Sequence, residues 1–212
     1  MYNIINYLSS NIDWCEDNFV YNSYIVEMFN SLSSFALVIA SLFGIFFYPE
    51  SKILYSSLIP IGITSAYFHG SLSLLGQLLD ELSILFTMIF VFHYINNHIK
   101  HFINKYLLFI INFYQVYYAI MFPDYNRLVF FTYSFIFVKM INPIINSSNY
   151  EIKNNILLSQ FLFFISVIFW AVDYFFCIKT INFHALWHII ISFTTYFLFK
   201  FLHYIKKEIE IK

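Results

Sequence analysis

Seven long apolar runs constrain the fold of this chain more than any other feature. They cover residues 24–47, 53–70, 77–96, 104–122, 126–146, 155–177 and 183–204. Each run is close to the ~20 residues that a helix needs to cross the hydrocarbon core of a bilayer. Charged residues make up only 11% of the chain, and 60% of the residues are hydrophobic, so a soluble domain of this size could not bury its apolar surface. The sequence therefore predicts an all-α membrane protein, a bundle of seven transmembrane helices.

The positions of the lysines predict the orientation of this bundle. Eight lysines lie on or near one side of it, namely Lys52, Lys100, Lys105, Lys153, Lys200, Lys206, Lys207 and Lys212. Only Arg127 and Lys179 flank helix ends on the other side. Because cytosolic loops are enriched in Lys and Arg, we expect a lumenal or extracellular N-terminus and a cytosolic C-terminus. The predicted division is a lumenal segment (1–23), a seven-helix domain (24–205) and a short cytosolic tail (206–212).

Ionisable residues inside the apolar runs concentrate at one predicted depth. Such residues are costly in lipid and usually mark functional sites. Those near the predicted outer ends of the runs are Glu27, His69, Asp80, Glu81, Asp173, His184 and His188. Chance placement would scatter them along the helices, so we expect a polar site just beneath the lumenal surface.

Three of these residues are histidines with the spacing of a metal site. His184 and His188 are four residues apart and share one helix face, and His69 lies at the matching depth in the second run. Three imidazoles with one open position are typical of catalytic zinc, which lowers the pKa of a bound water to ~7. Asp80 is the predicted general base or hydrogen-bond acceptor for that water, and Ser65 is predicted to steady an oxyanion or a ligand. The alternative interpretation is a set of hydrogen bonds between buried His and Asp.

The stretch before the first run, 13-DWCEDNFVYNSYIVE-27, is rich in oxygen donors. Its polar side chains are Asp13, Glu16, Asp17, Asn18 and Glu27. Hard oxygen donors at close spacing suit Ca²⁺, and the carbonyl of Trp14 could add another. On composition alone, a solvated acidic segment before the helix is the favoured interpretation. The segment has no basic residue, which is not the pattern of a cleavable signal peptide.

The two cysteines, Cys15 and Cys177, both lie on the predicted outer side. An oxidising lumen would permit a disulfide between them. Two free buried thiols are the alternative, because the sequence does not give the distance between the two residues.

Four stretches together resemble a known family. They are 12-IDWCEDNFVYNSYIVEMFNSLSS-34, 65-SAYFHGSLSLLGQLLDELSILF-86, 170-WAVDYFFC-177 and 184-HALWHIIISFTTY-196. In this order they resemble the alkaline ceramidases. That family belongs to a group of seven-helix metal-dependent hydrolases, which also includes adiponectin-receptor-like proteins and enzymes that remodel GPI anchors.

The resemblance implies hydrolysis of the amide of ceramide or phytoceramide to a sphingoid base and a fatty acid, in the endoplasmic reticulum or Golgi membrane. It implies zinc on His69, His184 and His188, with Asp80 and Ser65 serving the water and the scissile carbonyl. It implies calcium on Asp13, the Trp14 carbonyl, Glu16, Asn18 and Glu27, which reverses the preference reached from composition. Asp17 and Asp173 receive no role from it.

The expected partners are the lipid substrate and the bilayer, with no nucleic acid and no obligate protein partner. Two alternatives remain open at this point. One is an ester hydrolase acting on another membrane lipid, of the GPI-remodelling type. The other is a non-enzymatic seven-helix receptor in which zinc is structural.

Overall fold

The computed structural model of the chain describes residues 8–123, 126–147 and 149–211, and helices dominate them. The α-helices are α1 (Met28–Phe47), α2 (Lys52–Ser56), α3 (Leu58–Ser71), α4 (Leu74–His98), α5 (Lys105–Met121), α6 (Asn126–Ser147), α7 (Tyr150–Phe176) and α8 (Phe183–Ile211). A 3₁₀ turn at Pro49–Ser51 leads into α2. Within these ranges the only strand-like pairing is an isolated bridge between Ser9 and Ser73. The all-α prediction is confirmed.

The helices follow the seven predicted runs, with ends that differ by a few residues. The second run is interrupted at Ser57, which separates the short α2 from α3. Four helices of the described chain are long and apolar enough to cross a membrane: Met28–Phe47, Leu74–His98, Ile152–Phe176 and Phe183–Ile211. These four helices indicate a membrane protein, and the count of seven crossings stays a prediction.

Close packing between α1 and α3 sets one wall of the polar site. A Cβ atom at Gly62 would lie 2.7 Å from Val38 Cγ2 and 3.0 Å from the carbonyl oxygen of Ser34. Glycine at this position lets the two backbones approach, as small residues do between membrane helices. The buried face of α1 that meets its neighbours is mostly polar, with Asn30, Ser31, Ser34, Leu37, Ser41 and Gly44.

The segment before α1 is hydrogen-bonded to the end of α3. The backbone N–H of Ser10 donates to the carbonyl of Leu72 at 2.9 Å, and the N–H of Glu27 donates to the carbonyl of His69 at 3.0 Å. Leu72 has a left-handed backbone (φ 42°) that ends α3, and Ser73 then caps α4 by accepting from the N–H of Gly76. This turn brings the last turn of α3 and the first turns of α4 to the same end of the bundle.

A disulfide and a buried carboxylate tie the same segment to α7 and α8. Cys15 and Cys177 are bonded, with their Cα atoms 5.0 Å apart. The carboxylate of Asp173 accepts from the N–H of Cys15 at 3.1 Å and from the N–H of His184 at 3.2 Å. Asp173 therefore fixes the start of α8 relative to the N-terminal segment, a structural role that the sequence did not reveal.

Candidate active site and metal centre

The three predicted zinc ligands lie together at one end of the bundle. His69 is in the last turn of α3, and His184 and His188 are in the first turns of α8. All three are buried, with exposed fractions of 1%, 2% and 1%. Each offers one ring nitrogen, and these nitrogens lie within 4.8 Å of one another. In the part of the chain that the structure describes, this is the one group of three or more His, Cys, Asp or Glu residues close enough to hold a metal ion.

Two of the rings have a hydrogen-bond partner on Nδ1. Nδ1 of His69 lies 2.5 Å from Oε2 of Glu27, and Nδ1 of His188 lies 2.8 Å from Oγ of Ser33. The Ser33 hydroxyl donates its single proton to the carbonyl of Asn30 at 3.0 Å, so it accepts from His188. Both rings then carry their proton on Nδ1 and leave Nε2 as a metal-binding lone pair.

The third ring contributes an unsatisfied nitrogen. Nδ1 of His184 is buried and has no hydrogen-bond partner among the described residues. The ring stacks on the indole of Trp14, with centroids 3.7 Å apart. Buried polar atoms are almost always paired, so an orphaned imidazole nitrogen beside two further imidazoles fits a metal site. Three neutral imidazoles are a donor set that suits zinc.

Asp80 and Ser65 are placed differently at the site, because Asp80 lines the pocket and Ser65 contacts His188. Asp80, on α4, is 8% exposed and lines a pocket together with His69 and His184. Its Oδ1 atom is buried and has no hydrogen-bond partner among the described residues. Ser65, one turn before His69, lies with its Oγ atom 3.3 Å from Nε2 of His188 and is not among the residues that line the pocket. The structure thus gathers both residues at the site, and their catalytic roles stay predictions.

The pocket beside the histidines is largely apolar. Its walls include the three tryptophans of the chain, Trp14, Trp170 and Trp187. Its polar members are His69, Asp80, Glu81, Asn126 and His184. An apolar pocket with a few convergent polar groups is typical of a ligand site, and this one can receive a molecule whose polar group sits next to a long apolar chain.

Two of the predicted calcium ligands accept hydrogen bonds around the start of α1. The two carboxylate oxygens of Glu16 accept from the N–H groups of Phe29 and Asn30 at 2.7 and 2.8 Å. Oε1 of Glu27 accepts from the N–H of Trp14 at 3.0 Å. Glu16 therefore caps α1, because it satisfies N–H groups that lack partners within the helix.

The remaining predicted calcium ligands lie further out on the same segment. The amide of Asn18 donates to the carboxylate of Asp13, at 3.3 Å for the shorter contact, and both side chains are exposed. Burial raises the pKa of the Glu16 carboxyl; the hydrogen bonds that it accepts oppose this shift, and the charge of Glu27 adds to it. The donor chemistry suits a hard cation, yet these oxygens do not form a close group like that of the histidines, so the calcium site stays a prediction. Asp17, which had no role, forms an exposed ion pair with Lys179.

Comparison with known proteins assigns a family. The family model described as Ceramidase matches residues 6–212. The chain is 39% identical over 92 residues to "Alkaline ceramidase" of Drosophila melanogaster, which covers 40% of this chain and 32% of that protein. It is 36% identical over 96 residues to "Alkaline ceramidase 1" of Homo sapiens, which covers 42% of this chain and 36% of that protein. These matches span about a third of each relative's length. Because the family match runs over nearly the whole chain and includes the three histidines and Asp80, this chain belongs to the ceramidase family.

Proposed function

We propose that this protein is an integral membrane, zinc-dependent amidase that hydrolyses ceramide to a sphingoid base and a free fatty acid. The observation that carries the proposal is the group of three buried imidazoles beside an apolar pocket that also holds the carboxylate of Asp80. Membership of the ceramidase family and the printed names of the relatives point to ceramide as the substrate.

The chain's own residues supply the positioning and the proton transfers. His69, His184 and His188 would hold zinc, which when bound lowers the pKa of a water to ~7 and polarises a carbonyl. Asp80 takes the proton of the water that attacks the amide carbon, and returns it to the leaving nitrogen as the C–N bond breaks. Ser65 Oγ lies 3.3 Å from Nε2 of His188, the nitrogen assigned to the metal, and this position next to the metal supports its predicted role at the oxyanion.

The proposed setting is a seven-helix membrane domain with a lumenal N-terminus. The lysine distribution supports this orientation, and the bond between Cys15 and Cys177 supports an oxidising compartment on the N-terminal side. In this arrangement residues 1–23 lie in the lumen, 24–205 form the hydrolase domain and 206–212 lie in the cytosol. The family resemblance points to the endoplasmic reticulum or Golgi membrane.

The direct test of the function is product analysis with purified protein in lipid vesicles. We expect ceramide to yield a sphingoid base and a fatty acid in equal amounts by mass spectrometry. A parallel panel offers ester-linked phospholipids at the same concentrations. Cleavage of an ester without cleavage of ceramide would refute the amidase and favour the lipid ester hydrolase. No cleavage of any lipid by zinc-loaded protein would favour the receptor.

Ser33 gives a prediction about zinc affinity. Ser33→Ala removes the acceptor that holds the proton of His188 on Nδ1, so Nε2 is no longer fixed as the metal ligand. Partners of this kind are typically worth about 10–100-fold in metal affinity. We expect a loss of that size in a chelator competition titration, with activity recovering at excess zinc.

Ser41 provides the matched control for Ser33. It is a buried serine on the same helix, and its Oγ atom has no hydrogen-bond partner among the described residues. Ser41→Ala is expected to bind zinc like the wild type. Unchanged zinc affinity in Ser33→Ala would show that the serine does not orient His188.

Calcium gives a prediction about ion removal. We propose that it binds Asp13, the Trp14 carbonyl, Glu16, Asn18 and Glu27, and holds the N-terminal segment over the pocket. The two buried carboxyl groups of Glu16 and Glu27, with the exposed Asp13 on the same segment, support a cation there. Removing calcium with a selective chelator is expected to lower activity several-fold while zinc content stays constant, and added calcium should restore it.

Substitutions of two aspartates distinguish calcium binding from a general effect of removing negative charge. Asp13→Asn is expected to raise the calcium concentration needed for half-maximal activity. Asp17→Asn alters the exposed ion pair with Lys179, and we expect it to leave that calcium concentration unchanged. If purified protein contains no calcium and its activity does not respond to the ion, the proposed site does not exist.

A further inference from the structure

Three residues that line the pocket carry a buried polar atom with no hydrogen-bond partner among the described residues. The atoms are Oδ1 of Asp80, Nδ1 of His184 and Nε1 of Trp14. The proposed chemistry uses the first as an acceptor for water and the second within the histidine group. It gives no role to the indole N–H of Trp14. Buried donors are nearly always paired, so this N–H indicates an acceptor that the ligand supplies.

Contacts of the backbone hold Trp14 in place without using its indole nitrogen. The backbone N–H of Trp14 donates to Oε1 of Glu27 at 3.0 Å, and that of Cys15 donates to Oδ2 of Asp173 at 3.1 Å. Cys15 is also bonded to Cys177. The indole is therefore fixed from both sides along the chain. A donor that is positioned in advance costs no reorganisation when charge develops beside it.

The packing of the Trp14 ring places it next to the histidine group. The indole stacks on the imidazole of His184, with centroids 3.7 Å apart and planes 27° apart. Trp170 and Tyr174 meet it edge-on, with centroids at 6.2 and 6.1 Å. Ser65, the donor already predicted at the oxyanion, is not among the residues that line the pocket, whereas the indole is. The pocket thus offers a second donor close to the proposed reacting centre.

The chemistry of the substrate identifies the acceptor. An indole N–H can only donate a hydrogen bond. The carbonyl oxygen of an amide is a stronger acceptor than a hydroxyl oxygen, and it gains negative charge when water attacks the carbon that carries it. A hydrogen bond to that oxygen strengthens as the charge develops. The contact with His184 places the indole at the end of the pocket where the amide is cleaved, which favours the carbonyl over the hydroxyl groups of the sphingoid base.

We propose that the indole N–H of Trp14 is a catalytic hydrogen-bond donor, which binds the carbonyl oxygen of the substrate amide and stabilises the negative charge that this oxygen gains during attack by water. The proton stays on the indole nitrogen throughout. The proposal rests on the amidase function proposed above and adds a residue to its catalytic machinery.

A purely structural role for Trp14 makes a different prediction. If the side chain served only to pack on His184, another aromatic ring would keep most of the activity. Donation of a hydrogen bond instead requires every variant without the N–H to lose activity, whatever ring it carries.

The kinetic test removes the N–H in two ways. One variant is Trp14→Phe, and the other carries 3-benzothienylalanine at position 14, in which sulfur replaces the N–H of the same bicyclic ring. Loss of one oxyanion donor predicts a fall in kcat on ceramide of about 10²-fold or more in both variants. KM should change by less than about 3-fold, because the hydrogen bond is strongest in the transition state. The benzothienyl variant keeps the ring volume and decides the question if Trp14→Phe does not fold.

Metal content separates this role from an effect on the ions. Both substitutions leave the backbone carbonyl of Trp14, the proposed calcium ligand, in place. Zinc per chain and the calcium concentration for half-maximal activity are therefore expected to equal those of the wild type.

An infrared measurement tests the hydrogen bond without relying on turnover. Ceramide labelled with ¹³C at its amide carbonyl is bound to Asp80→Asn protein, in which cleavage is expected to be slow. A hydrogen bond weakens the C=O bond and lowers its stretching frequency. Adding Trp14→Phe or the benzothienyl residue to the same protein should therefore move the ¹³C=O band to higher frequency. Zinc content is matched between the samples, so a contribution from the metal cancels.

Tyr21 provides a control on the same segment. It is an exposed residue whose ring meets Phe29 edge-on, with centroids 4.8 Å apart, and it does not line the pocket. Tyr21→Phe also removes a hydrogen-bond donor from an aromatic side chain. It is expected to keep wild-type kcat and, in the Asp80→Asn protein, an unchanged carbonyl band.

Each outcome decides one question. A loss of kcat in the variants without the N–H, together with the shift of the carbonyl band, supports the proposal. Wild-type turnover in the benzothienyl variant, or a carbonyl band that does not move, overturns it and leaves the amidase function standing. A wild-type protein that cleaves no ceramide refutes the amidase function itself, and this proposal with it.

Discussion

His188→Ala is expected to lower ceramide hydrolysis by on the order of 10³-fold or more and to remove zinc from the purified protein. The substitution deletes one of three nitrogen ligands from a buried group whose nitrogens lie within 4.8 Å of one another. Two imidazoles hold zinc more weakly than three, and among the described residues no further His, Cys, Asp or Glu joins the group. The measurement is zinc per chain by atomic emission, beside kcat/KM on ceramide.

A histidine elsewhere in the bundle provides the control. His93 lies near the other end of α4 and pairs with the side chain of Asn112 at 3.1 Å. His93→Ala is expected to keep both zinc and activity and to lower the thermal unfolding midpoint, because Asn112 loses one of its two hydrogen-bond partners. Full ceramide hydrolysis by His188→Ala would show that the three histidines do not support the chemistry.

Asp80→Asn is expected to lower kcat by about 10²- to 10⁴-fold while zinc content stays at the wild-type level. Asparagine has nearly the shape of aspartate, but it cannot take a proton from water or return one to the leaving amine. The structure supports a loss of turnover without a loss of zinc, because Asp80 lines the pocket and is not part of the three-histidine group. Single-turnover cleavage of ceramide measures the effect on the chemical step.

The exposed Asp17 is the matched control for this substitution. Asp17→Asn makes the same chemical change outside the pocket, in a pair with Lys179, and should leave kcat unchanged. Two results would contradict the role assigned to Asp80. Wild-type turnover in Asp80→Asn would exclude it as the general base, and loss of zinc would make it a ligand.

Much of the three-histidine group could be predicted from the sequence because helix geometry fixes it locally. The four-residue spacing of His184 and His188 places both rings on one face of α8, whatever that helix packs against. His69 could be matched to them because the apolar runs set its depth in the bundle. The position of Asp80 followed from the same argument.

Hydrogen bonds between helices could not be predicted in this way, because they depend on which faces meet. The contact of Ser33 with His188 and that of Asp173 with the N–H of His184 both join distant parts of the chain. Glu27 was predicted as a calcium ligand, which stays a prediction, and the structure places its carboxylate against Nδ1 of His69. One signal was available, since the small and polar residues Asn30, Ser34, Ser41 and Gly44 have spacings that place them on one face of an otherwise apolar helix.

The points at which the helices break could not be predicted from hydropathy either. The second apolar run is continuous in sequence, yet Ser57 separates α2 from α3 within it. The left-handed residue at the end of α3 is Leu72, and leucine gives no indication of such a turn. The turn at Leu72 brings the last turn of α3 beside the first turns of α4, where His69 and Asp80 line one pocket.

The most direct test of the central claim is metal analysis of purified wild-type protein together with X-ray absorption at the zinc edge. The account predicts about one zinc per chain with three imidazole nitrogens and one water oxygen in the first coordination shell. It also predicts that His69→Ala, His184→Ala and His188→Ala each abolish that signal. Protein that is active on ceramide and contains no zinc, or zinc whose spectrum does not change in these variants, would contradict it.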